Sequence, residues 1–150
     1  MKNIFDKEVT NEVINRINKL SPETQSQWGK MDVSRMLAHC NVTYEMVYDN
    51  KHTKAKGLKK LMLNWFIKPV VVNEKPYKKN SPTAPEFKIV DSKVFDTEKK
   101  RLSDYIQKTQ ELGENHFEGK ESNSFGKLNK NQWNNMFYKH LDHHLNQFGA

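Results

Sequence analysis

Trp133 to Gly149 reads WNNMFYKHLDHHLNQFG and holds three of the chain's six histidines. In a helix, residues i and i+4 share a face with Cβ atoms roughly 6 Å apart, so His140 and His144 stand one above the other. Trp133, Phe137 and Phe148 fall on that face, Leu141 and Leu145 flank it, and Lys139, Asp142 and Asn146 fall on the outward side. The start is marked as well. Asn129 with Gln132 makes a capping-box pair, and Leu128 with Trp133 fits the hydrophobic staple; Gly149 closes the helix. Two stacked imidazoles in an apolar setting need partners for several ring nitrogens. One metal ion would satisfy both rings, and a hydrogen-bonded core pair is the other reading. Spacing alone does not separate the two.

Working outward, the chain yields three more helices. The first runs from Asp6 or Thr10 to Leu20, with Val9, Val13, Ile17 and Leu20 at helical spacing, and Ser21-Pro22 ends it. Trp28, in the linker that follows, is expected as a core anchor. Asp32 caps a second helix reaching about Asn50, with Val33, Leu37, Cys40, Tyr44 and Val47 as its apolar stripe. His39 lies off that stripe beside Met36, Thr43 and Met46, where it can point into a cleft. Asp96 offers a cap for a third helix, with Leu102, Tyr105, Ile106, Thr109 and Leu112 inward and Gly113 as the stop.

Between the second and third helices lies a long crossover. Gly57 to Ile67 can form a short amphipathic helix, with Leu58, Leu61, Met62 and Trp65 on one side and Pro69 stopping it. Its brevity favours a cover over the helices rather than a membrane-surface helix. Four of the five prolines sit between Pro69 and Pro85, so Lys68 to Phe95 is expected to be extended, with Val70-Val71-Val72 and Phe87 to Val90 as short extended pieces. Four helices and no convincing sheet predict an all-α four-helix bundle, one domain over residues 1–150.

Composition narrows the classes. A single cysteine, Cys40, excludes an intrachain disulfide and a Cys-rich zinc site, and its place on the Leu37 stripe favours a buried thiol over a nucleophile. The N-terminal stretch MKNIFDKEV carries Lys and Asp where a signal peptide needs an apolar run, and the longest apolar stretch is too short to span a bilayer. A cytoplasmic protein is expected. Net charge is +7, and nine lysines lie between Lys51 and Lys79 against one acid, Glu74. Lysine without arginine or aromatic interleaving reads bases poorly, so a solvated surface is preferred to a nucleic-acid-binding one. Leu141 stands where a zincin motif needs Glu, and position 143 is itself histidine where the inverted motif needs Glu.

Trp28-Gly29-Lys30-Met31, Met36-Leu37-Ala38-His39-Cys40, Asn80-Ser81-Pro82-Thr83-Ala84-Pro85, Tyr138-Lys139-His140-Leu141-Asp142-His143-His144 and Gln147-Phe148-Gly149, taken in order, resemble the DinB-like (damage-inducible, YfiT-like) superfamily, in an uncharacterised branch. The resemblance spans nearly the whole chain. It implies a four-helix bundle, often a homodimer, with a divalent metal such as zinc or nickel held by His39, His140 and His144. Relatives include metal-dependent transferases that use low-molecular-weight thiols, a thiol-dependent isomerase and proteins described as hydrolases. A metal-dependent thiol transferase or hydrolase acting on a small molecule is one expectation; a non-catalytic small-molecule-binding or sensor protein is the alternative. Three neutral imidazoles leave the ion's double charge and an open position. No motif marks a general base among Glu45, Asp142, Tyr44 and Tyr48. His143, turned about 100° from His144, is left out of the ligand set, as are His52 and His116.

Overall fold

The computed structural model describes residues 1–49 and 51–150 and is mostly helical. Helices α1 (Lys7–Asn18), α2 (Val33–Tyr48), α5 (Phe95–Phe117) and α6 (Lys130–Gln147) are the long elements. Helices α1 and α2 each pack on both α5 and α6, which also touch one another. The residues that carry the helical spacing carry the packing: Val13, Ile17, Leu37, Leu102, Ile106 and Phe137 are all essentially closed to solvent. Aromatic rings fill one end, with Phe117 at 5.5 Å from both Trp133 and Phe137, and Phe5 at 5.2 Å from Phe117.

The helix ends follow their capping chemistry. Asn129 accepts from the Gln132 amide while the Gln132 side chain accepts from the Asn129 amide, closing the capping box at α6. Asp32 caps α2 through the Arg35 amide. Asn50, the expected end of α2, lies outside the described residues, and the helix ends at Tyr48. At α5 the cap is Val94 rather than Asp96, which joins Glu98 in the first turn. Gly113 breaks the helix with φ 73°, as its freedom from a Cβ permits, but the chain resumes a helical turn to Phe117. A two-residue antiparallel hairpin, β1 (Glu121–Ser122) with β2 (Gly126–Lys127), follows where no strand was expected.

The crossover differs most from expectation. Helix α3 (Gly57–Met62) runs into a π turn at Leu63–Ile67 and on into α4 (Lys68–Val72). Pro69 does not stop this run, because it sits in the first turn of α4, where its missing N–H costs no hydrogen bond. Val70 to Val72 are therefore helical, not extended. Nor do Leu58, Leu61, Met62 and Trp65 cover the core: they are 72%, 49%, 55% and 70% exposed, and Leu63, Val71 and Val72 hold the segment down instead.

One residue of α6 turns the other way from the one expected. Lys139 is buried; its ammonium donates to the carbonyls of Val70 (2.7 Å) and Asn73 and to the Asn73 side chain (3.0 Å), tying down the end of α4. Burial pushes its pKa down to about 8. Asp142 pairs with Arg16 at 2.7 Å and so joins α6 to α1. Lys139→Met strips three part-buried acceptors of their donor, and a loss of about 1–2 kcal/mol is expected in urea unfolding, with α6 helicity retained.

Candidate metal centre

Helix α2 delivers His39 and α6 delivers His140 and His144. The imidazole nitrogens of the three converge, all within 4.8 Å of one another. His39 Nε2 lies 2.9 Å from His140 Nε2, and the ring centroids of His39 and His144 are 4.5 Å apart. His39 and His144 are buried and His140 is half-buried. The rows of α2 and α6 that bear these side chains face each other because Leu37 and Tyr44 on one helix and Phe137 and Leu141 on the other are drawn into the same core.

The far nitrogen of every ring is tied. His39 Nδ1 lies 2.8 Å from the carbonyl of Phe87, at the end of a 3₁₀ turn over Pro85–Phe87 in the crossover. A carbonyl only accepts, so the proton of His39 is on Nδ1 and Nε2 is bare. His144 Nδ1 lies 2.8 Å from Gln147 Oε1, and Gln147 Nε2 donates to the Trp28 carbonyl at 2.8 Å. That second bond fixes which way the amide points, so His144 has the same tautomer. His140 Nδ1 meets the Thr43 hydroxyl at 3.0 Å, and a hydroxyl can donate or accept.

Thr43 therefore decides how the cluster is satisfied. With Thr43 donating to His140 Nδ1, His140 carries its proton on Nε2 and donates to His39 Nε2, which accounts for the 2.9 Å contact. With the hydroxyl rotated to accept from Nδ1–H, all three Nε2 lone pairs are free. The hydrogen-bonded core pair and the ligand set are two proton arrangements of one geometry. Tetrahedral zinc with Zn–N bonds of about 2.0–2.1 Å spaces its ligands roughly 3.4 Å apart, within the spread seen here, so the residues fit such an ion. Tying the second nitrogen to a carbonyl, amide or hydroxyl is how ligating histidines are oriented.

The surroundings favour neutral rings. The Phe87 side chain packs 5.3 Å from His39 and 5.8 Å from His140. Burial lowers the pKa of His39 and His144, the latter to about 3, and pushes that of His140 well below its usual value.

The remaining sequence candidates lie elsewhere. Glu45 is held by His52 and Arg101, Asp142 by Arg16, and the Tyr48 hydroxyl by Thr109 at 2.7 Å. Tyr44 is stacked between Phe137 and Tyr105 with its hydroxyl unpartnered among the described residues. Cys40 is buried against Met36, and burial drives its thiol far above the usual range, so it is no nucleophile. His116 contacts Lys120. His143 sits edge-on to Trp28 and Tyr77, so Trp28 is a half-buried surface partner of that ring and not a core anchor.

Sequence reasoning missed Thr43, Phe87 and Gln147 as supports. Thr43 at four residues from His39 and Gln147 at three from His144 carried the signal in their helical spacing. Phe87 acts through its backbone and carried none.

A mostly helical chain with three imidazoles gathered between two helices is the class that fold and site define. The chain belongs to the family described as protein of unknown function (DUF1569), whose model matches residues 4–150. No curated protein and no solved structure matches it.

Stability should follow the histidines. Below about pH 6.5 the unfolded chain takes up protons that the buried rings refuse, so chelator-treated protein loses stability as pH falls. Each ring contributes up to about 1.4 kcal/mol per pH unit. Urea midpoints should drop between pH 7.5 and 5, and His144→Gln should flatten that slope.

Proposed function

We propose that the protein binds a divalent metal ion, zinc or nickel, through His39, His140 and His144, and that the metal-bearing site takes a small molecule at its open position. The observation that carries this reading is the triple tie at Nδ1, which leaves the opposite nitrogen of each ring facing the cluster and, with the Thr43 hydroxyl accepting, all three Nε2 lone pairs free. The placement of one histidine on the second long helix and two on the last also matches the resemblance to DinB-like proteins. It supports reading α1, α2, α5 and α6 as the four-helix bundle of that superfamily.

An ion held by three neutral imidazoles keeps its full double charge, and such an ion lowers the pKa of a bound water or thiol. The protein's own part is to hold the ligands neutral, to keep their second nitrogens satisfied and, through the Phe87 ring, to keep water off one side. This supports a metal-dependent transferase using a low-molecular-weight thiol, or a hydrolase. A second reading is favoured by one observation: Glu45 and Asp142 are bound up in ion pairs, and the cluster contains no carboxylate. A binding or sensor protein, which needs no proton-transfer group, fits that equally well.

Purified protein should carry close to one equivalent of metal by elemental analysis, and His140→Ala should empty it. A chelated protein whose thermal unfolding is unchanged by zinc and by nickel would overturn the proposal. Turnover of electrophiles with added thiols separates the enzyme from the sensor. Thr43→Val and Gln147→Leu leave the ligands in place but should weaken metal binding by about 10–100-fold, as read by competition with a chromogenic chelator.

A further inference from the structure

The run from Gly57 to Val72 leaves an apolar strip on the outside of the molecule. Leu58 and Trp65 are 72% and 70% exposed, Phe66 65%, Met62 55% and Val70 53%, with Leu61 beside them. The spacing explains the strip. Leu58, Met62, Phe66 and Val70 recur every four residues, and in an unbroken α-helix each such step drifts by about 40°, so Val70 would face far from Leu58. The π turn at Leu63–Ile67 bonds i to i+5 and advances fewer degrees per residue, which takes the drift back. π turns are rare and concentrate at functional places, and a contiguous exposed apolar patch of this kind marks an interaction surface.

Charge selects the partner. From Lys51 to Asn73 there are six lysines and no acidic residue. Lys59 and Lys60 reach Glu86 and Glu121 at the edges of the strip, while Lys54, Lys56 and Lys68 have no carboxylate partner among the described residues. A second copy seated on the strip would bring these ammonium groups against their own kind. An anionic lipid surface accepts both features at once: aromatic and aliphatic side chains at the headgroup boundary, and lysines against the phosphates. We propose that this strip docks the protein on anionic bilayers, without spanning them; no helix among the described residues is long and apolar enough to cross a membrane. The net charge of +7 adds attraction at longer range. The proposal is independent of the metal reading.

The test is co-sedimentation of the full chain with vesicles of phosphatidylcholine alone and of phosphatidylcholine containing roughly one phosphatidylglycerol in three. Binding to the anionic vesicles should be at least about tenfold stronger than to the neutral ones and should weaken at high salt. Trp65→Ser/Phe66→Ser removes only exposed rings, so its thermal unfolding should match the parent while its vesicle binding is lost. Equal binding to both vesicle types, or undiminished binding by the double variant, overturns the proposal. So does absence of vesicle binding together with a dimer, seen in analytical ultracentrifugation, that the same double variant dissociates; the occupant would then be a second copy.

Discussion

Three imidazoles share so small a volume because each is anchored at its far nitrogen. Left untied, the rings could turn away from one another; tied at Nδ1, they point where the anchors send them, and His39 Nε2 stays 2.9 Å from His140 Nε2. The anchors come from four places. The 3₁₀ turn of the crossover supplies Phe87, α2 supplies Thr43, α6 supplies Gln147, and the loop before α2 supplies the Trp28 carbonyl that orients Gln147. The long connection between α2 and α5 thus contributes one carbonyl, at the end of its 3₁₀ turn, and that carbonyl sets the tautomer of His39.

Helix α2 keeps two kinds of polar chemistry apart. On the side of α5, Asn41 and Glu45 join Glu98 and Arg101: Asn41 Nδ2 donates to Glu98 at 2.8 Å, and Arg101 bridges both carboxylates. On the side of α6, His39 and Thr43 belong to the imidazole cluster. Buried charges are tolerable only when paired, and Glu45 and Glu98 are paired on the α5 side, away from an imidazole cluster that contains no carboxylate among the described residues. Burial is the main cause of the neutral state of the rings, and that segregation leaves it unopposed by a nearby carboxylate.

What could be read from the sequence was what repeats. The aromatic face of α6, its Asn129–Gln132 box, the Leu37 stripe of α2, the separation of His39 from that stripe and the stacking of His140 with His144 all follow from helical periodicity, whereas the grouping of His39 with those two came from the family resemblance. Three things did not follow. Lys139 belongs outside by residue type and by helical angle, yet α4 arrives over it with carbonyls that need a donor. Pro69 reads as a stop because no local signal distinguishes a proline that ends a helix from one that begins the next. The π turn leaves no mark that the α-helical stripe of Leu58, Leu61, Met62 and Trp65 could show, and the shortness of the segment suggests a cover. In each case the deciding partner lies far away in the chain or is backbone.

His140 and His144 ride on one rigid helix, so the distance between their Cα atoms is set by helical rise and cannot adapt. Only His39 stands on another element. The span of the cluster is therefore governed by a single quantity, how closely α2 approaches α6, and the packing of Leu37, Tyr44, Phe137 and Leu141 sets it. Because all three donors are imidazoles, donor chemistry discriminates little among transition metals. Core side chains that never touch an ion would thus act as its size gauge, and repacking them is a way to retune preference without altering a ligand.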